Sequence, residues 1–174
     1  MQEILNRAKQ IRLIIFDVDG VLTDGGLYLG DDGQEYKAFN SKDGLGMKLL
    51  QKSGVEIGII TGRTSNVVTI RMESLGIRDV YQGQRHKVPA FEELRDKLGL
   101  KNEQIAYVGD DVVDLPIMRQ VGLAITVQDA HPLVKQHAHW QTLAGGGRGA
   151  AREICEMLME AQGTLEQAFE KYLK

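Results

Sequence analysis

Two aspartates stand one residue apart in IIFDVDGVLTDGG (residues 14–26), directly after an apolar run. In extended backbone, residues two apart project to the same side, so Asp17 and Asp19 face one pocket while Val18 points away. Carboxylates that close repel each other, and the repulsion is relieved either by protonating one or by placing a cation between them. A further acid, Asp110, follows a distant apolar run in VGDDVVDLP (108–116), with Asp111 and Asp114 beside it. Hard oxygen donors drawn from two segments suit a divalent cation, and Mg²⁺ fits a site completed by waters and a phosphate. Gly20 lets the backbone turn sharply and come close to a ligand. Each stretch has a plainer reading when taken alone. DVDG can be a strand-ending turn, and GDDVVD can be a solvated helix start, where acids are favourable. An EF-hand loop needs flanking helices and further acids at alternating positions, which Val21 and the preceding strand pattern oppose. Joint occurrence, in order and after buried strands, favours the metal site.

The elements that must position these acids are legible from patterning. IRLIIF (11–16) is a continuous apolar run, as expected of a strand buried on both faces, and VEIGIIT (55–61) is a second. Residues 79–81 form a short strand, and 104–110, 122–127 and about 139–143 supply three more. Helices are predicted over 2–9, 41–54, 65–76, 88–100, 112–122, 131–138 and 150–163, with a weakly anchored helical segment at 164–174. In the second helix Leu45, Leu49 and Leu50 read as the apolar stripe. GLYLGDDGQEYKAF (26–39) carries two alternating runs around DDG, a hairpin signal. Alternating strands and helices mean βαβ units, a three-layer α/β fold with a parallel sheet and helices on both faces. In such sheets ligands lie at the carboxyl ends of the strands. Asp17 and Asp19, Thr61, and the Asp110 cluster all fall there.

Bulk properties set the class. The chain of 174 residues, 43% hydrophobic and 26% charged, is sized for a single domain spanning 1–174 with a real core. Its net charge of −3 and lack of any basic block argue against a nucleic-acid partner. The lone Cys155 precludes an intrachain disulfide and suits a reducing compartment. MQEILNRAKQ has scattered charges and no apolar core, so it does not read as a signal peptide. No apolar run approaches the roughly 20 residues of a membrane span. A soluble, cytoplasmic protein is expected.

FDVDGVLTD, IITGR, Lys87 and VGDDVVDLP resemble the four motifs of the haloacid dehalogenase superfamily, mostly phosphatases, over residues 11–140. The resemblance implies that Asp17 attacks phosphorus to form an aspartyl-phosphate. Asp19 would protonate the leaving alcohol and then act as base for the hydrolytic water. It implies Mg²⁺ held by Asp17, the Asp19 carbonyl and Asp110, with Thr61 and Lys87 on the phosphoryl oxygens. Asp111 and Asp114 would orient metal waters or Lys87, and one of them could also touch the metal. A second acid at Asp19 separates the phosphatases from the dehalogenases. The intervals around Thr61 leave no room for a cap domain, so the site is either open to large substrates or closed by a neighbouring subunit. Leu27, Tyr28, Leu29, Tyr36 and Phe39 could form that contact, or could pack on the hairpin's own core.

Within the superfamily, the hairpin, NSKDGLGMKLL, GRTSNVV, GQRHK and GGGRGAAREI resemble the phosphatases of 3-deoxy-D-manno-octulosonate 8-phosphate over nearly the whole chain. That family implies a homotetramer supplying a sugar acid for bacterial lipopolysaccharide. It implies substrate contacts at Asn40, Ser41, Lys42, Asp43, Gly44, Lys48, Arg63 and Arg71, with Arg148 of the C-terminal tail (about 144–174) reaching a neighbouring site. Arginine forks suit a substrate carboxylate. Exposed helix charges are the plainer reading of Lys48 and Arg71, and a simple hinge is that of the glycine run. Phosphatases of nine-carbon sialic-acid-type 9-phosphates are the closest alternative. A phosphatase of macromolecules and a non-catalytic scaffold are more distant ones.

Overall fold

All four side chains of the run Leu13–Phe16 are buried, and they form β1. Alternation sends Ile14 and Phe16 to one face and Leu13 and Ile15 to the other, each into its own apolar cluster. The computed structural model describes residues 1–174. In it β1 lies inside a six-stranded parallel sheet, flanked by β4 (Glu56–Ile60) and β6 (Ile105–Gly109). β5 (Asp79–Tyr81) lies outside β4, and β7 (Leu123–Thr126) and β8 (Trp140–Gln141) extend the other side. The chain winds from β1 toward β5, then returns past β1 to β6. The carboxyl end of β1 is therefore the switch point where a crevice opens.

Helices α1 (Gln2–Ala8), α2 (Ser41–Lys52), α3 (Asn66–Leu75) and α7 (Ala150–Ala161) enclose the larger cluster of 30 buried residues. α4 (Val88–Lys97), α5 (Leu115–Met118) and α6 (Pro132–His137) cover the other face, with 13. α8 (Leu165–Glu170) packs Leu165, Ala168 and Phe169 against the larger cluster. The three-layer α/β expectation holds, and no helix is long and apolar enough to cross a membrane.

Two expectations change. Leu45 is 39% exposed, and the buried face of α2 runs instead through Gly44, Gly46, Met47, Leu49 and Leu50. Glycine inside a helix costs about 1 kcal/mol relative to alanine, and close packing explains it here. A Cβ on Gly46 would stand 2.7 Å from Arg152 Cδ in α7, and one on Gly44 would stand 2.3 Å from Arg71 Nη2. The expected amphipathic helix over 150–163 forms as α7, with Ala150, Ala151, Ile154, Cys155 and Leu158 fully buried, each large side chain contributing roughly 1.5–3 kcal/mol. After Asp110 the expected helix over 112–122 splits into a 3₁₀ turn at Val112–Asp114 and the four-residue α5, which starts at Pro116's turn.

The hairpin forms as read, with β2 (Tyr28–Leu29) antiparallel to β3 (Glu35–Tyr36). Its apolar side chains do not make a core of their own. Leu27, Tyr28, Leu29 and Tyr36 are all about half exposed, and only Phe39 packs on the main core. A two-stranded ribbon is marginal in water by itself, so its placement depends on what it touches.

Candidate active site

β1, β4 and β6 deliver Asp17, Thr61 and Asp110 to one crevice. The Asp17 amide still bonds the Val108 carbonyl at 3.0 Å, and the Thr61 amide bonds that of Tyr81 at 2.9 Å. Sheet pairing thus fixes both residues at the carboxyl ends of their strands. Beyond Asp17 the chain coils: the amides of Val21, Leu22 and Thr23 all point at the Val18 carbonyl. Gly20, at φ 88°, passes so close to Asp110 that a Cβ would lie 2.0 Å from Oδ2. Only glycine permits that approach.

The resulting cleft, about 350 Å³, is lined by Asp17, Asp19, Thr61, Arg63, Lys87 and Asp110, with Gly62, Gln84, Arg85, Asp111 and Val113 at its rim. Lys87 is buried at the start of α4. Its ammonium reaches Asp17 Oδ2 at 3.0 Å and Asp114 Oδ1 at 2.7 Å. Burial alone would lower its pKa, but those two carboxylates outweigh it and raise it, so Lys87 is a fixed positive charge. Asp114, wholly buried, accepts from Lys87 and the Tyr107 hydroxyl on one oxygen. On the other it accepts from the amides of Asp110 and Asp111. Four donors saturate it, so Asp114 orients its neighbours.

Asp17, Asp110 and Asp114 bring carboxylate oxygens within 4.8 Å of one another. Burial, then the neighbouring acid, pushes Asp17 up to about 7 despite Lys87. Burial, then Asp17, Asp114 and Asp111, pushes Asp110 up to about 8. Asp110 Oδ1 is buried with no hydrogen-bond partner. Three carboxylates against one ammonium leave two negative charges, and an orphaned oxygen faces them. This donor set fits a hard divalent cation, with Asp110 Oδ1 the unpartnered oxygen and the Asp17 carboxylate, held by the Val18 amide and Lys87, beside it. The Asp19 side chain stands apart from the cluster and instead accepts from Lys37 Nζ at 2.5 Å.

The other expected contacts are dispersed. Arg63 lines the cleft, but its Nε and Nη2 hold Glu35 Oε1 at 3.2 and 3.0 Å. Asn40 caps α2, accepting from the Lys42 and Asp43 amides. With Gly44 and Arg71 it lines a separate small crevice beside Phe39 and Met47. Asp43 lines that same crevice, and its carboxylate is buried and accepts from the Arg152 amide at the start of α7. Ser41, Lys42 and Lys48 are exposed on α2. Arg148 is exposed and pairs with Asp24 of its own chain at 3.6 Å.

The glycine run before Arg148 is neither a loose hinge nor a phosphate loop. Gly147 donates to the Val21 carbonyl at 2.9 Å, and a Cβ on Gly146 would stand 1.8 Å from the Gly20 carbonyl oxygen. The run braces the coil that carries Asp19. Lys37, Glu35, Arg85, Gln84 and Tyr107 were not singled out from sequence. Alternation in the hairpin makes Lys37 read as solvated, and only the GQRHK stretch hinted at Arg85.

Comparison with known proteins agrees with this geometry. The haloacid dehalogenase-like hydrolase family matches residues 64–154. The chain is 49% identical over 166 residues to the 3-deoxy-D-manno-octulosonate 8-phosphate phosphatase KdsC of Escherichia coli (strain K12), covering 95% of this chain and 88% of that one. It superposes with TM-score 0.93 on the crystal structure of the Yersinia pestis phosphatase of that name, at 48% identity, covering 94% and 89% of the two chains. The Moraxella catarrhalis enzyme of that name, crystallised with a magnesium ion, a phosphate ion and a KDO molecule, superposes with TM-score 0.97 at 40% identity, covering 99% of each chain.

Proposed function

Because this chain belongs to the haloacid dehalogenase-like hydrolases, we propose that it removes phosphate from 3-deoxy-D-manno-octulosonate 8-phosphate with Mg²⁺. The observation that carries this is the crowding of the Asp17 and Asp110 carboxylates, with Asp110 Oδ1 unpartnered and Lys87 on Asp17, supported by relatives named for that ester. The nine-carbon alternative finds no support among those relatives. A single-domain enzyme working in the cytoplasm on a sugar acid of lipopolysaccharide accords with this reading.

Asp17, Asp110 and the Asp19 carbonyl would hold the ion, which when bound supplies charge neutralisation between carboxylate and phosphate. Asp17 attacks phosphorus, and the aspartyl-phosphate splits one difficult displacement into two. Lys87 acts as a point charge on the phosphoryl oxygens, and the Thr61 hydroxyl donates to them. Asp19 gives its proton to the departing alcohol and takes one from the attacking water. Arg63, released from Glu35, offers its fork to the substrate carboxylate. The exposed apolar hairpin supports a homotetramer, in which Lys48, Arg71 or Arg148 of another subunit could complete the cleft.

The test is kcat/KM for phosphorylated sugar acids of eight and nine carbons, with Asp17→Asn as control. Preference for the eight-carbon ester and loss of turnover in the variant are expected. Appreciable residual activity in Asp17→Asn refutes the mechanism, and preference for the longer ester refutes the substrate.

A further inference from the structure

The acid/base carboxylate is held by the hairpin. Lys37 lies just past β3, and its side chain is completely shielded from solvent. Its ammonium donates to Asp19 Oδ1 at 2.5 Å and to Glu35 Oε1 at 3.2 Å. Glu35 Oε1 also receives the Arg63 fork, and burial's tendency to raise the Glu35 pKa is outweighed by Lys37 and Arg63. An unbroken line of ion pairs therefore runs from the cleft, through the hairpin, and back to the cleft. No other group hydrogen-bonds the Asp19 side chain, so Oδ2 is unengaged, and Asp19 lines the cleft. An exposed ion pair of this kind would count for little. A buried ammonium cannot be left unpaired, so Lys37 must engage these acids whenever the hairpin is docked.

We propose that Lys37 is a positioning residue: reaching from the hairpin to Oδ1, it fixes the Asp19 carboxylate in the rotamer that presents Oδ2 to the leaving oxygen. This rests on Asp19 being the acid/base group. Hairpin placement then sets proton delivery, which is how an element without a core of its own comes to matter for the reaction. Glu35 completes the device by anchoring Lys37 on the hairpin side.

The discriminating experiment varies the leaving group. A proton from Asp19 matters for an alkyl alcohol and little for p-nitrophenolate, and kcat/KM reports only steps through the first irreversible one. Lys37→Met should lower kcat/KM about tenfold or more on the sugar-acid ester, a fraction of the roughly 100- to 10,000-fold that general acid catalysis supplies. On p-nitrophenyl phosphate it should stay within about twofold of wild type, and Lys37→Arg should restore most of the loss. Equal losses on both substrates would mean Lys37 merely supports the fold, and no loss on either would mean it does nothing for the reaction. Both results overturn the proposal. Circular dichroism confirms that the variants are folded, and should Lys37→Met fail to fold, Lys37→Gln carries the same comparison. If wild type cleaves p-nitrophenyl phosphate but ignores the sugar-acid ester, the substrate reading falls. The same contrast on an alkyl phosphate it accepts still decides the role of Lys37.

Discussion

Asp110→Asn should make the metal-free protein more stable while abolishing its response to Mg²⁺. Burial and the neighbouring acids push Asp110 from 3.8 up to about 8 in the folded chain, which is on the order of 5 kcal/mol. The folded value lies above the unfolded one. Stability from this group is therefore fully present below about pH 4 and is lost as pH rises through about 8. Asp17, raised to about 7, contributes in the same direction. Asparagine keeps the shape and removes one of the crowded charges, but Asp17 still carries part of the repulsion. A recovery of ~2 kcal/mol is expected at about pH 8, or roughly 4–8 °C in Tm for a chain of this size. At about pH 5 the folded carboxyl is protonated while the unfolded one is already ionised, so the difference should shrink to a fraction of its value at about pH 8 and vanish only below about pH 4. Scanning calorimetry in chelator at the two pH values measures both. Added Mg²⁺ should reverse the order, raising wild-type Tm through ligand linkage and leaving the variant unchanged. A wild-type protein whose metal-free Tm does not fall across this pH range would refute the reasoning, as would a variant no more stable at the upper end.

Chelation should silence turnover and Mg²⁺ should restore it, since Lys87 alone cannot balance the three crowded carboxylates; activity indifferent to chelator in a steady-state assay counts against the metal. Gly146→Ala should cost about 1–3 kcal/mol, as overpacking does, because its Cβ would press on the Gly20 carbonyl at 1.8 Å. Turnover should fall with it, read by calorimetry and kcat together, and an unperturbed variant would mean the glycine run is not a brace. Leu29→Asp, on the 66% exposed tip of the hairpin, should lower the mass seen by light scattering, whereas an unchanged mass removes the hairpin from the subunit interface.

Patterning within short windows settled much about this protein. The apolar run at 11–16 announced a strand covered on both faces, and its buried counterpart is β1. Strand–helix alternation announced the layers, and the rule that ligands sit at strand carboxyl ends drew Asp17, Thr61 and Asp110 together before any coordinates did. Lys87 came from motif resemblance, and the structure gives it a physical reason in its pairs with Asp17 and Asp114.

Only tertiary structure decided the rest, because it depends on close approaches that leave no local pattern. No local pattern announces that the Asp43 carboxylate serves the start of a helix 109 residues away. Gly46 reads as a weakness in a helix until Arg152 is seen filling the place of its side chain. Lys37 alternates as a surface residue should, but folding carries it into the catalytic coil and strips it of water. Periodicity reports which face of an element is apolar, and it carries no record of which distant backbone will press against that face. Charges buried by such contacts are stable only in the company the fold assembles, so their roles become visible when that company does.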